Sequence, residues 1–249
     1  MFRSGIRSGL FVLVSLLLVE RVGALCAIAG FGQQAGSAES AHEHGSTTPH
    51  EGGKVILLPR DLEMRLAINA LPKTLRDGAQ VVVLDANGYS VAKVGTNAFT
   101  CMVSRRSGNL YPVCFDAEGA RTILPAYEDD AVLRMKGATN EEVERQLARG
   151  FADGKYRPPS RPGIAYMLSP ATYLLDEKGK LARTFPHTMF YAPYLTNEDI
   201  GGSMGKTAFV DRPGPHGMII VLAGEKERAT LLRESQTLVD EVEAAIGLK

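Results

Sequence analysis

Cys101 and Cys114 sit symmetrically about Ser107-Gly108, in a segment whose other residues (Thr100, Met102, Val103, Tyr111, Val113, Phe115) favour extended backbone. If Ser107-Gly108 is the two-residue loop of a hairpin, Arg106 faces Asn109 and Cys101 faces Cys114. The flanking pair is hydrogen-bonded and the pairs alternate, so Val103:Pro112 and Cys101:Cys114 both fall at non-bonded positions. Pro112 then gives up no ladder bond, and the cysteine Cα atoms come within about 4.5 Å, a distance that a disulfide tolerates. A single register satisfies the proline and the cysteines together, which fixes two neighbouring strands before anything else is known.

A disulfide needs an oxidising compartment, and the N-terminus supplies the route to one. Met1 to Arg7 is cationic without acids, and Leu10 to Val19 is apolar apart from Ser15, the order of a secretory signal. Ten such residues are too few to span a bilayer, which takes about 20. Ala27-Ile28-Ala29 offers the small-x-small cleavage site, with Gly36-Ser37-Ala38 a second choice, so residues 1–29 read as a signal peptide and the mature protein as periplasmic or secreted, with no membrane segment. Leu25 before Cys26 disfavours lipidation. Cleavage also removes Cys26 and leaves two cysteines. It takes Arg3, Arg7, Arg21 and Glu20 from totals of 28 basic and 28 acidic residues, leaving 25 against 27. So small a net charge, with no basic cluster beyond Arg105-Arg106, argues against a nucleic-acid partner.

Residues 30–53 are small, polar and glycine-rich and read as a disordered tether; residues 54–249 read as a single domain. Within it, Asp61 to Ala70 predicts a helix closed by Leu71-Pro72. Val81 to Leu84 and Tyr89 to Val94 flank Asn87-Gly88, a strong hairpin signal. Asp116 predicts the cap of a short helix that Pro125 interrupts, and Thr139 with Glu142 a capping box for a helix bearing Val143, Leu147 and Phe151. Ile164 to Leu168, Tyr173 to Leu175, Leu181, Met189 to Tyr191 and Met218 to Leu222 are β-like, and Glu225 to Ile246 is a long helix with Leu231, Leu238, Val242 and Ile246 on its apolar face. The expected fold class is therefore α+β, a mainly antiparallel sheet in hairpin-meander order flanked by helices, similar by analogy to PAS or Cache ligand-binding sheets.

Two catalytic motifs lack their context. Gly201-Gly202-Ser203-Met204-Gly205 matches G-x-S-x-G, but no buried strand precedes it and no helix follows. Gly205-Lys206-Thr207 suggests a phosphate-binding loop, but Ile200 stands where its first glycine belongs. The two histidines beyond the tether share one pattern, Pro186-His187-Thr188-Met189 and Pro215-His216-Gly217-Met218. If each opens a strand, His187, Met189, His216 and Met218 project to one face and offer soft ligands suited to copper(I), to which the tether's His42, His44 and His50 could add. Core packing for the methionines and local hydrogen bonds for the histidines explain the same pattern. A second polar concentration, Asn97, Thr100, Asp116 and Tyr166, lies near the cysteine hairpin; turn and capping duties account for Asn97 and Asp116 equally well.

The stretches Gly95-Thr96-Asn97-Ala98-Phe99-Thr100-Cys101, Pro112-Val113-Cys114-Phe115-Asp116, Gly163-Ile164-Ala165-Tyr166-Met167-Leu168 and Pro186-His187-Thr188-Met189 together resemble a family of exported bacterial proteins. The resemblance covers most of the chain after Gly53, with Ala98 standing where such proteins tend to have glycine. It implies export and a shared fold, and it lends no activity. The functional expectation is a small-molecule ligand bound in a pocket beside the sheet, with His187, Tyr166, Asn97 and Asp116 lining it. Copper or other metal binding through the two His-x-Met strands, and hydrolysis with His187 or His216 as base, are the alternatives.

Overall fold

The computed structural model describes residues 55–203 and 208–248, all within the compact unit Thr47–Lys249. The expected signal peptide, the expected tether with its three histidines and the end of the G-x-S-x-G stretch lie outside the described residues.

The chain enters through α1 (Arg60–Asn69) and the single turn α2 (Lys73–Arg76), then runs β1 (Gln80–Asp85), β2 (Gly88–Lys93), β3 (Thr100–Ser104) and β4 (Tyr111–Phe115). Three helices follow, α3 (Ala117–Thr122), α4 (Leu124–Met135) and α5 (Asn140–Ala152). The rest is β5 (Ile164–Met167), β6 (Tyr173–Leu175), β7 (Leu181–Arg183), β8 (His187–Tyr191), β9 (Ala208–Asp211), β10 (Met218–Leu222) and α6 (Glu225–Ala245). Eight strands form one sheet in the order β2-β1-β3-β4-β5-β8-β10-β9, and β6 pairs with β7 in a small separate hairpin. The architecture is α+β with a large, mostly antiparallel sheet; the exception is the parallel contact between β1 and β3, so the first hairpin joins the meander by its older strand.

The cysteine hairpin has the register that its sequence requires: Cys101 pairs with Cys114 and Val103 with Pro112, the sulfurs lying at bonding distance, 2.07 Å, and the Cα atoms 4.0 Å apart. Ser107 and Gly108 both take positive φ, and the Asn109 N–H donates to the Arg106 carbonyl, as a type I′ turn demands. The first hairpin differs by one residue. Its loop is Ala86-Asn87, with Asp85 facing Gly88, because the Asp85 carboxylate accepts from the Asn87 N–H at 2.8 Å and Gly88, at φ +116°, opens the return strand.

Period-two alternation divides the sheet residues between two cores. Val81, Val83, Cys101, Val103 and Cys114 face α1 and α6, where Leu62, Leu66, Leu71, Val239 and Val242 complete one core. Val82, Met102, Val113, Phe115, Met167, Met189, Met218 and Ile220 face the other way and meet Ile123, which joins α3 to α4, and Leu124 and Tyr127 of α4. The inner stripe of α6 is Ser235, Val239 and Val242, one residue round from the Leu231–Leu238 line that the sequence suggests, because Ser235 answers a polar group on α1: the Asn69 amide donates to its hydroxyl at 3.1 Å. Pro125 lies in the first turn of α4, where its missing N–H costs nothing, so it starts that helix rather than breaking α3. The Thr139–Glu142 capping box of α5 is formed in both directions.

Candidate functional site

Of the four residues expected to line one pocket, two are committed to holding backbone. The Asn97 side chain donates to the Leu75 carbonyl and accepts from the Phe99 N–H, fixing the turn into β3. Asp116 caps α3 through the Gly119 N–H at 2.9 Å, accepts from the Ile164 N–H at 3.1 Å and accepts from the Tyr191 hydroxyl at 2.9 Å, so one carboxylate joins β4, α3, β5 and β8. The other two stand back to back: Tyr166 pairs across the sheet with Cys114 and Thr188, whereas His187 pairs with Met167 and Leu222, and adjacent strand residues point to opposite faces. These four side chains do not surround one cavity.

The copper arrangement separates for a related reason. β8 and β10 are antiparallel, with His187 opposite Leu222 and Met218 opposite Tyr191. His187 opens β8 whereas His216 sits in the turn before β10, so the two lie towards opposite ends of the strand pair. Met189 and Met218 share a face but belong to the apolar core at 5% and 4% exposure. Among the described residues no cluster of three or more His, Cys, Asp or Glu is placed to hold a metal. Each histidine has a local carbonyl instead: His187 Nδ1 lies 2.8 Å from the Phe185 oxygen, and His216 Nε2 lies 3.3 Å from that of Arg157. Burial lowers the pKa of both, against the pull of these carbonyls, and brings His216 down to about 4, with Arg106 adding its charge. Ser203 is exposed, and a turn, not a buried strand, leads into its motif.

Among the concavities of the described residues, one lies beside His187. A groove of about 510 Å³ runs between the first turns of α6 and the chain from Arg183 to Pro186, with Pro170, Phe185, Pro186 and Leu232 as apolar walls and Arg183, Glu225 and Arg228 at the rim. Its outer wall is fixed from both sides: the Thr184 N–H donates to the Thr172 carbonyl, the Ala223 N–H donates to the Pro186 carbonyl, and His187 holds the Phe185 carbonyl. Phe185 nonetheless leaves 57% of its surface in water, with the Arg228 guanidinium 4.6 Å above its ring. No ion pair of Arg228 is found among the described residues, and Arg183 has only a long contact, 3.8 Å, with Glu243. Gly224 caps α6 without a side-chain bond, so the first N–H groups of that helix open beside the same rim.

The sequence misses this site because its residues come from three separate stretches with no shared spacing. The one usable signal is Phe185, an aromatic residue among polar and proline neighbours where no apolar run requires it. Two buried charge centres also escape the sequence. Glu63 and Arg105 form an ion pair of 2.8 Å at 0% and 1% exposure, with Arg105 also donating to the Ile56 carbonyl and Glu63 accepting from the Leu84 N–H. Glu118 accepts from Arg121 and from the Ser160 N–H and hydroxyl, which hold its carboxyl at about 2 and tie the loop after α5 to α3. Glu63 and Glu118 read as surface charges in helical patterns and Arg105 as a charge beside a hairpin turn, and nothing local marks them as buried.

Comparison with known proteins finds no matching family model, no similar curated protein and no similar solved structure. No described helix is long and apolar enough to cross a membrane.

Proposed function

We propose that this is an exported binding protein that takes a small amphipathic anion, an aromatic or aliphatic carboxylate, in the groove beside α6. The observation that carries the reading is the exposed Phe185–Arg228 stack at the mouth of an apolar groove whose wall is already held by three backbone contacts. An apolar body would displace water from Pro170, Pro186 and Leu232, and its carboxylate would meet Arg228 and Arg183, on the side of the rim away from Glu225. A wall that is rigid beforehand reduces the ordering cost of binding. A ligand beside the sheet is also what the analogy to PAS and Cache domains leads one to expect, and the paired cysteines agree with life in an oxidising compartment.

The test is thermal shift and calorimetry with benzoate, phenylacetate, hexanoate and octanoate on the wild type, Phe185→Ala and Arg228→Gln. At least one carboxylate is expected to stabilise the wild type in a dose-dependent way, and both substitutions to remove the shift. Stabilisation by none of them, or equal stabilisation of all three proteins, rejects the reading.

A further inference from the structure

The two edges of the eight-stranded sheet are treated differently. On β9 the outward backbone of Val210 is taken by a side chain: the Asn197 amide donates to the Val210 carbonyl at 3.0 Å and its oxygen accepts from the Val210 N–H at 2.7 Å. That edge is closed to another strand. The β2 edge has no such clip. Asp85 and Gly88 flank the Ala86-Asn87 loop as a bonded pair, so Ser90 bonds to Val83, and Tyr89 and Val91 turn their N–H and C=O away from β1. Among the described residues no backbone group answers them. Ser90 is exposed, Val91 is 53% exposed and Val94 79% exposed. The one guard of this edge is a bulge at Ala92, where Val82 pairs with Val91 but Val81 with Lys93; it lies beyond the Tyr89–Val91 stretch, and the only charge in β2, Lys93, is drawn off to the carbonyls of Arg76 and Asp77.

We infer that β2 is an interface on which a second copy of this chain pairs antiparallel, joining two sheets edge to edge about a two-fold axis. The strand is complementary to itself. With Ser90 opposite Ser90 of the second copy as the central non-bonded pair, Tyr89 and Val91 become reciprocal bonded pairs, so the outward groups of both residues are satisfied at once. Each Tyr89 then lies beside the other copy's Val91, an aromatic and β-branched pairing that stabilises sheets. Lys93, the only charge of the strand, lies beyond the bulge at Ala92, so no like charges meet across the paired stretch. The closed β9 edge stops the assembly at two copies, as an isologous contact does. A short strand pairing buries less than the roughly 1,200 Å² of a standard stable interface, so the dimer is a weak one, with a dissociation constant on the order of 100 µM.

Sedimentation velocity from about 5 to 500 µM tests the association, with Val91→Pro, which removes the outward N–H without touching the β1 ladder, and Ser90→Lys, which sets like charges face to face. The wild type is expected to pass from monomer to dimer across this range and both variants to weaken association at least tenfold with unchanged circular dichroism. Ser90→Cys reads the register separately: oxidation should join two chains through that position, whose Cα atoms would lie about 4.5 Å apart, whereas Asn87→Cys should not. A wild type that stays monomeric at 500 µM, or a dimer that persists unaltered in both edge variants, overturns the inference.

Discussion

Gly163 has no side chain because there is no room for one. A Cβ there would lie 2.4 Å from the Tyr191 ring and 2.5 Å from the Asp116 carboxylate, the two groups that lock the start of β5. Gly163→Ala is expected to cost about 1–3 kcal/mol by overpacking, and Tyr191→Phe about 1–2 kcal/mol by removing the hydroxyl from Asp116 and the Ile164 carbonyl; chemical denaturation measures both. The Glu63–Arg105 pair gives a sharper contrast. Glu63→Ala strands a buried guanidinium and should cost about 3–5 kcal/mol, whereas replacing both residues with methionine should cost less, because no charge is then left alone. Equal losses in single and double variants would show that packing, not charge, sets the value. His216 supplies the pH dependence. Its folded pKa of about 4 lies below the ordinary 6.5, so the unfolded chain takes up the proton first as pH falls. Stability is full above pH 6.5 and is lost between about 6.5 and 4, by about 3 kcal/mol at most, with His187 contributing in the same direction. His216→Gln should flatten that part of the stability profile, and an unchanged slope would place the titration elsewhere.

Among the elements, the β3–β4 hairpin shows how far local chemistry can specify structure. Its register follows from a proline that cannot donate, two cysteines that must meet and a serine-glycine turn, each acting within a few residues. Reduction of the Cys101–Cys114 pair is expected to lower stability by roughly 3 kcal/mol, the amount associated with a closed loop of this size, and to leave the sheet intact because both strands have further neighbours. Unfolding with and without reductant, followed by circular dichroism, measures it. The first hairpin is legible as a hairpin but not in its offset, since the Asp85 carboxylate decides between two loops that Asn87-Gly88 alone leaves open. Helix α6 is likewise legible in length and not in orientation: Ser235 on its inner stripe makes sense only once Asn69 lies across from it. β9 is hidden in the sequence because it follows a glycine-rich stretch and is four residues long, and its edge is finished by Asn197 from a distant loop.

For the whole molecule, the α+β class and the predominance of antiparallel pairing follow from hydrophobic period and turn chemistry, which are properties of short windows of chain. So do the cysteine pairing, the Asp116 cap and the capping box of α5. The order of the strands does not, because β1 meets β3 in parallel, and β5 meets β4 and β8, through contacts that close long loops and leave no local mark. That order separates His187 from His216, turns Tyr166 away from His187, leaves β2 as the open edge, and brings Phe185, Arg228 and Leu232 round one groove. Periodicity tells a residue which face to choose and turn chemistry tells it where to reverse; which distant residue waits on that face is set by the packing of all the elements at once.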